Sequence, residues 1–124
     1  MLCDGPPRNM AIKLAVVVGA CTKYASNTVY HGETPSDDLP DDVKWGLGGA
    51  LPIVFAEQGY DVVVMSRSLA NLAPIEAHIT GTLHKRCFAV ECDCADRASI
   101  ARAFAAVAER FGSIDVLVYN AGYA

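Results

Sequence analysis

Three glycines of this chain, Gly19, Gly46 and Gly48, stand between an apolar run and an amphipathic segment. Glycine lets the backbone turn tightly and lets an anionic group approach it closely. The N-terminus of a following helix adds N–H donors and a partial positive charge. The pattern therefore indicates a turn that binds a phosphate group. A plain turn between a strand and a helix is the alternative, and glycines alone do not decide between the two.

A serine–arginine pair, Ser66 and Arg67, ends a second apolar run, 18 and 19 residues after Gly48. In dinucleotide-binding folds, a residue about 20 positions after the glycines contacts the adenosine ribose. An acidic residue at this place would favour NAD, whereas Ser66 and Arg67 suit the 2′-phosphate of NADP. The pair therefore favours NADP, with NAD still possible. The alternative is that Arg67 is a solvated surface cation.

Polar residues also follow two later apolar runs. Asp93 and Cys94 come after one run, and Asn120, Ala121 and Gly122 come after the next. The carboxyl ends of parallel strands meet at the edge of the sheet where open α/β folds bind ligands. Asp93 suits a hydrogen bond from an adenine amino group. Its alternative role is to cap a helix or form a turn.

The elements that must position these residues alternate between strand and helix. Strands are predicted over 12–18, 60–65, 86–92 and 114–119, and helices over 46–59, 68–80 and 97–111, the last capped by Asp96. Such alternation predicts a parallel sheet with right-handed crossovers and the strand order 3-2-1-4. Residues 1–10 are predicted to be a loose N-terminal tail.

All three predicted helices have apolar residues at helical spacing, and in the second these are predicted to lie on one face: Leu69, Leu72, Ile75 and Ile79. In the first, these residues are predicted to face the core: Leu47, Leu51, Val54 and Phe55. In the third, the same prediction applies to Ile100, Phe104, Val107 and Ala108.

Composition excludes several classes of protein. The chain has 124 residues, 52% of them hydrophobic, and a formal net charge of -4, so it is one small globular domain and a poor binder of nucleic-acid backbone. No apolar stretch reaches the roughly 18–20 residues of a membrane span. Three scattered histidines and the absence of a Cys-x-x-Cys motif argue against a metal site.

The five cysteines, an odd number, predict buried thiols in a reducing compartment, the cytoplasm. Cys92 and Cys94 fall near the end of a predicted strand. The two are predicted to alternate along this strand end and to point to opposite faces of the sheet.

Taken together, these motifs resemble the short-chain dehydrogenase/reductase family. Its glycine motif is Thr-Gly-x-x-x-Gly-x-Gly; Val-Gly-Ala at 18–20 resembles its start and Gly-Leu-Gly at 46–48 its end. Asp93 resembles the family's Asp after the third strand. Tyr-Asn-Ala-Gly at 119–122 resembles its Asn-Asn-Ala-Gly signature, with Tyr in place of the first Asn. The resemblance covers residues 12–20 and 46–124.

The resemblance implies an α/β fold: the N-terminal half of a Rossmann-type doubly wound parallel sheet, in a single partial dinucleotide-binding domain. It implies an NAD(P)-dependent oxidoreductase that transfers hydride between a nicotinamide cofactor and a small-molecule carbonyl or alcohol, and a homo-oligomer for the full-length form. The implied cofactor-binding residues are Gly19, Ala20, Gly46, Leu47, Gly48, Ser66, Arg67, Asp93, Cys94, Asn120, Ala121 and Gly122.

The sequence departs from the family pattern in two ways. An inserted loop, residues 21–45, splits the glycine motif where the family has two residues, and its four aspartates would repel phosphate. A natural insertion and a retained intron read in frame both explain it. In addition, no tyrosine is followed four positions later by a lysine, so the family's catalytic Ser and Tyr-x-x-x-Lys are not found. The chain by itself is expected to be inactive.

Two other functions fit parts of the pattern. One is a non-catalytic nucleotide-binding or regulatory protein built on the same half-fold. The other is an S-adenosylmethionine methyltransferase, which also has a glycine turn after its first strand. Methyltransferases usually have an acidic residue after the second strand, where this chain has Ser66 and Arg67.

Overall fold

The structure, a computed structural model, describes residues 12–21 and 41–121, with the backbone alone for 41–44. The predicted tail at 1–10 and most of the inserted loop lie outside the described residues. The elements, in chain order, are β1 (Leu14–Val18), α1 (Asp41–Glu57), β2 (Asp61–Ser66), α2 (Leu69–Ala77), a π-helical turn (His78–Thr82), β3 (Cys87–Glu91), α3 (Arg97–Phe111) and β4 (Val116–Tyr119).

The four strands form one parallel sheet in the order β3-β2-β1-β4. This confirms the predicted α/β class and the predicted strand order. All five residues of β1 are buried, as are the first five of β2. Their runs of valine suit strands that are covered on both faces.

Each face of the sheet has its own core. On one face, Val17, Val62 and Val64 pack against residues of α1 and α2. On the other face, Val16, Val63 and Met65 pack against α3 through residues such as Ala103 and Val107. The two sets alternate along each strand because successive side chains point to opposite faces.

The first helix differs from its prediction in where it begins. Helix α1 starts at Asp41, so the last five residues of the predicted inserted loop are helical. Gly46, with φ of 62°, interrupts the helix, and a second helical segment follows from Leu47. A left-handed φ is accessible to glycine at little cost, so this residue allows the break.

The predicted inward face of α1 is half wrong. Leu47 and Val54 are 65% and 52% exposed, whereas the buried positions include Gly48 and Ile53. Small residues bring the helix close to the turn after β1: a Cβ at Gly48 would lie 2.9 Å from the backbone N of Cys21. Periodicity favoured the large apolar residues, but close approach selects the side with glycine.

The third helix follows its prediction more closely. The Asp96 carboxylate accepts a hydrogen bond from the Ala98 N–H at 3.0 Å, which confirms the predicted cap, and Gly112, with φ of 86°, ends the helix. Val107 is buried as predicted, but Ala108 is exposed. Helix α2 ends at Ala77 and continues as the π-helical turn to Thr82.

The prediction for the cysteines near β3 is wrong. Successive side chains alternate between faces, so residues two positions apart, such as Cys92 and Cys94, share one face and not opposite ones. Both pack against the same cluster on the α3 face. Cys87 and Cys92 are buried and Cys94 half-buried, whereas Cys21 is exposed. Among the helices of the described segments, none combines the length and apolar character needed to cross a bilayer.

Candidate functional site

The turn after β1 is attached to the ends of both neighbouring strands. The N–H groups of Gly19 and Ala20 donate to the Met65 carbonyl of β2 at 2.9 and 3.0 Å. On the other side, the Asn120 N–H donates to the Val18 carbonyl at 2.8 Å, and the Asn120 side-chain nitrogen lies 3.5 Å from the Gly19 carbonyl. The structure therefore brings the ends of β1, β2 and β4 together at the carboxyl edge, where parallel sheets bind ligands.

Gly19 is at a position that excludes any side chain. Its φ is 84°, and a Cβ placed there would lie 2.4 Å from the backbone N of Ala121. The backbone that follows β4 therefore crosses directly over the turn after β1. This crossing places Asn120 and Ala121 beside Gly19.

The two amides of this turn are already engaged. Because Gly19 and Ala20 both donate to Met65, their N–H groups are not directed at a ligand. The segment 46–48 is the other part of the glycine pattern. A Cβ at Gly46 would meet no atom within 4 Å, and the Leu47 side chain is exposed. Among the described residues, the open side of the glycine turn is thus beside Gly46 and Leu47, whereas Gly48 is buried against Cys21 and Gly19.

Ser66 and Arg67 lie at the end of β2. The Ser66 hydroxyl accepts a long hydrogen bond, 3.4 Å, from the Ser68 N–H. Arg67 is exposed, and no residue in 12–21 or 41–121 forms a hydrogen bond or ion pair with it. Arg67 therefore presents an uncompensated guanidinium beside the carboxyl edge, as far as the described residues extend.

Asp93 forms a turn, which is the alternative role that its sequence position suggested. One carboxylate oxygen accepts from the Ala95 N–H at 2.9 Å, which makes a turn after β3. The Asp93 N–H donates to the Ser99 hydroxyl at 2.8 Å. Cys94 is half-buried beside it. The turn is therefore held by its own hydrogen bonds before any ligand is bound.

Sequence reasoning missed two residues that stabilise the edges of the sheet. Ser99 lies at the carboxyl edge and Asp115 at the opposite edge. The buried Ser99 holds Asp93, and its signal was a hydroxyl three residues after the helix cap. Asp115 links β4 to β1: its carboxylate accepts from the Leu14 N–H at 2.7 Å, and its N–H donates to the Leu14 carbonyl at 3.0 Å. An acidic residue immediately before a strand was the available signal.

The remaining predicted site residue, Gly122, lies outside the described residues. Within the described ranges, no group of three or more histidine, cysteine, aspartate or glutamate side chains is placed to hold a metal ion. What the arrangement offers is a glycine turn, an asparagine and an arginine at one edge of the sheet. Such a set has the chemistry to bind an anionic ligand, and these three described parts include no general acid or base.

Known proteins are similar to this chain in sequence and in fold. The family profile described as short chain dehydrogenase matches residues 43–124. Farnesol dehydrogenase of Aedes aegypti is 34% identical over 77 residues, which cover 62% of this chain and 31% of that protein. D-threitol dehydrogenase of Mycolicibacterium smegmatis is 36% identical over 80 residues, covering 64% of this chain and 30% of that protein.

Solved structures show the same architecture. A short-chain dehydrogenase/reductase from Burkholderia xenovorans superposes with a TM-score of 0.68 at 28% identity, covering 90% of this chain and 36% of that one. L-sorbose reductase from Gluconobacter frateurii, solved with NADPH and L-sorbose, superposes with a TM-score of 0.67 at 24% identity, covering 90% and 34%.

The chain spans about a third of the length of the curated relatives that it matches. The match nevertheless includes the second half of the glycine pattern, the end of β2 and the segment after β4. The fold, the strand order and the family profile agree. This chain belongs to the short-chain dehydrogenase family.

Proposed function

We propose that this chain is the nucleotide-binding part of an NADP-dependent oxidoreductase that interconverts small-molecule carbonyls and alcohols. The observation that supports it best is Arg67, an exposed guanidinium at the end of β2 with no partner among the described residues. This is the position where the family fold contacts the adenosine ribose. Relatives solved with NADPH, such as L-sorbose reductase, support the same cofactor.

The residues at the carboxyl edge fit a dinucleotide. The backbone of Gly46 and Leu47 borders open space among the described residues and suits a pyrophosphate, with Gly48 packed against the turn beneath it. Arg67 and Ser66 suit a 2′-phosphate, because a guanidinium forms charge-assisted hydrogen bonds with phosphate oxygens. Asp93 and Cys94 form the adenine end, with one Asp93 oxygen engaged in the turn.

The turn after β1 forms the other end of the proposed site. Gly19 and Ala20 shape its floor, since their N–H groups are tied to Met65. Asn120, Ala121 and Gly122 follow β4 and complete the edge. When bound, the nicotinamide supplies or accepts the hydride.

This chain is proposed to bind the nucleotide without catalysing its turnover. Its sequence has no Tyr-x-x-x-Lys, so it lacks the tyrosine and lysine that the family uses to move a proton. The proposal for the complete protein is a cytoplasmic homo-oligomer. A non-catalytic nucleotide-binding role is the second candidate. Membership of the family removes the support for a methyltransferase.

The substitution Arg67→Ala tests the assignment of the cofactor. We expect it to weaken NADPH binding by about tenfold to a hundredfold, because hydrogen bonds to charged groups contribute about 1.5–3 kcal/mol. NADH binding should change little, since NADH has no 2′-phosphate. Titration calorimetry with both nucleotides measures the two affinities.

The matched control is Arg102→Ala, which removes an exposed arginine from α3, away from the glycine turn. It should leave both affinities unchanged. Equal losses of NADPH and NADH affinity in the Arg67 variant would contradict the assignment. Oxidation of NADPH by the unmodified chain with a carbonyl substrate, above a blank, would contradict the absence of turnover.

A further inference from the structure

The segment that follows β3 brings two thiols together. Cys92 is 2% exposed and Cys94 is half-buried, and both pack against the core cluster on the α3 face. Only one residue, Asp93, separates the two cysteines along the chain. The proposed binding role uses Cys94 only as part of the adenine end and does not use Cys92. The pair therefore has no assigned chemistry.

The backbone around the two thiols is already bent and fixed. The Cys92 N–H donates to the Ser66 carbonyl at 2.8 Å, and the Asp96 N–H donates to the Asp93 carbonyl at 3.0 Å. Two residues apart, the Cα atoms are separated by at most about 7 Å, and a turn brings them closer. A disulfide needs Cα atoms roughly 4.4–6.8 Å apart and Cβ atoms that face each other. Both side chains pack against the same cluster on the α3 face, so they lie on one side of the sheet.

We propose that Cys92 and Cys94 form a redox-active dithiol that closes to a disulfide when a hydroperoxide oxidises it. Cys94 is the attacking thiol because its sulfur is the more accessible of the two. Cys92 is the resolving thiol because it is buried in the cluster against which Cys94 packs. Burial, together with Cys94 and Asp93, raises the pKa of Cys92, so this thiol keeps its proton until the second step.

The reaction balances in two steps. The Cys94 thiolate attacks one oxygen of hydrogen peroxide and the O–O bond breaks. One water leaves, and Cys94 becomes a sulfenic acid. The Cys92 sulfur then attacks the Cys94 sulfur, the S–S bond forms, and the hydroxyl group leaves as a second water with the Cys92 proton. Together the thiols lose two protons and two electrons, which the peroxide gains.

Peptide mapping of the full chain tests this pairing directly. The reduced chain is treated with hydrogen peroxide near neutral pH, alkylated and cleaved with trypsin. Cleavage after Arg86 and Arg97 releases one peptide, residues 87–97, which holds Cys87, Cys92 and Cys94. We expect this peptide to lose two hydrogen atoms and to be alkylated at Cys87 alone. Treatment with a reductant should restore alkylation at all three cysteines.

Three variants identify which cysteines form the disulfide. Cys87→Ser should still form the link, because Cys87 packs in the cluster on the other face of the sheet. Cys92→Ser and Cys94→Ser should each abolish it, and the Cys92 variant should accumulate sulfenic acid on Cys94. Circular dichroism of each variant shows that the fold is retained. A urea-denatured sample shows how fast the same link forms without the fold.

The proposal is overturned by any of three results. One is a link that involves Cys87. Another is a peptide that remains fully alkylatable after peroxide treatment. The third is a link that forms as fast in urea as in the folded chain, because the fold would then contribute nothing to the pairing. None of these measurements depends on nucleotide binding, so the result is independent of the proposed function.

Discussion

Gly19 joins two constraints at one residue, a left-handed backbone and a close crossing of two chain segments. A Cβ there would lie 2.4 Å from the Ala121 N and 2.5 Å from the Ala121 Cα. Both are backbone atoms, which cannot turn aside as a flexible side chain would. We expect Gly19→Ala to lower the free energy of unfolding by at least about 2 kcal/mol, since overpacking and backbone strain add. Urea denaturation followed by circular dichroism measures the loss.

Gly81→Ala is the matched control for this prediction. Gly81 lies in the π-helical turn without a left-handed φ, and a Cβ there would meet no atom within 4 Å. Its substitution should change the free energy of unfolding by no more than about 0.5 kcal/mol. Equal losses in the two variants would show that the crossing over Gly19 does not limit the residue at that position.

At the scale of single elements, the cap of α3 is the clearest case of local control. The Asp96 carboxylate satisfies the Ala98 N–H, one of the donors that the first turn of a helix leaves unpaired. We expect Asp96→Ala to lower the free energy of unfolding by about 1 kcal/mol. Asp96→Asn should restore most of it, because an asparagine oxygen also accepts this bond. A loss in the Asn variant as large as in the Ala variant would instead implicate the charge.

Element boundaries were predictable where the signal is local. Asp96 and Gly112 marked the ends of α3 correctly, because a cap and a left-handed glycine act within one turn. The buried face of α1 was only half predictable, because it depends on the close approach of Gly48 to the turn at Cys21, a contact between distant residues. The packing of Cys92 and Cys94 on one face was predictable, because side chains two positions apart along a strand share a face.

At the scale of the whole molecule, alternation of strands and helices was sufficient to predict the sheet order. The same order brings the ends of β1, β2 and β4 together, so Gly19, Arg67 and Asn120 were predictable as neighbours at one edge. The use of the Gly19 and Ala20 amides by Met65 was not predictable. Hydrogen bonds between backbone groups of different strands depend on register, and residue types do not record them.

Among the described residues, β4 is an edge strand of the sheet, and its apolar side chains are exposed there. Leu117 and Tyr119 pair with Val16 and Val18, so they lie on the α3 face of the sheet, yet they are 55% and 69% exposed. An exposed strand edge with apolar side chains favours pairing with another chain. We therefore expect the 124-residue chain to self-associate as its concentration rises.

Leu117→Lys should weaken this association, because the charge remains solvated only in the monomer. Loss of one buried leucine, about 1.5–3 kcal/mol, raises the dissociation constant by roughly tenfold to a hundredfold. Leu69→Lys places the same charge on an exposed leucine of α2, away from β4, and should leave the constant unchanged. Sedimentation velocity over a range of concentrations separates the two variants. Equal weakening by both would assign the effect to net charge, whereas a loss confined to Leu117 assigns the contact to the β4 border.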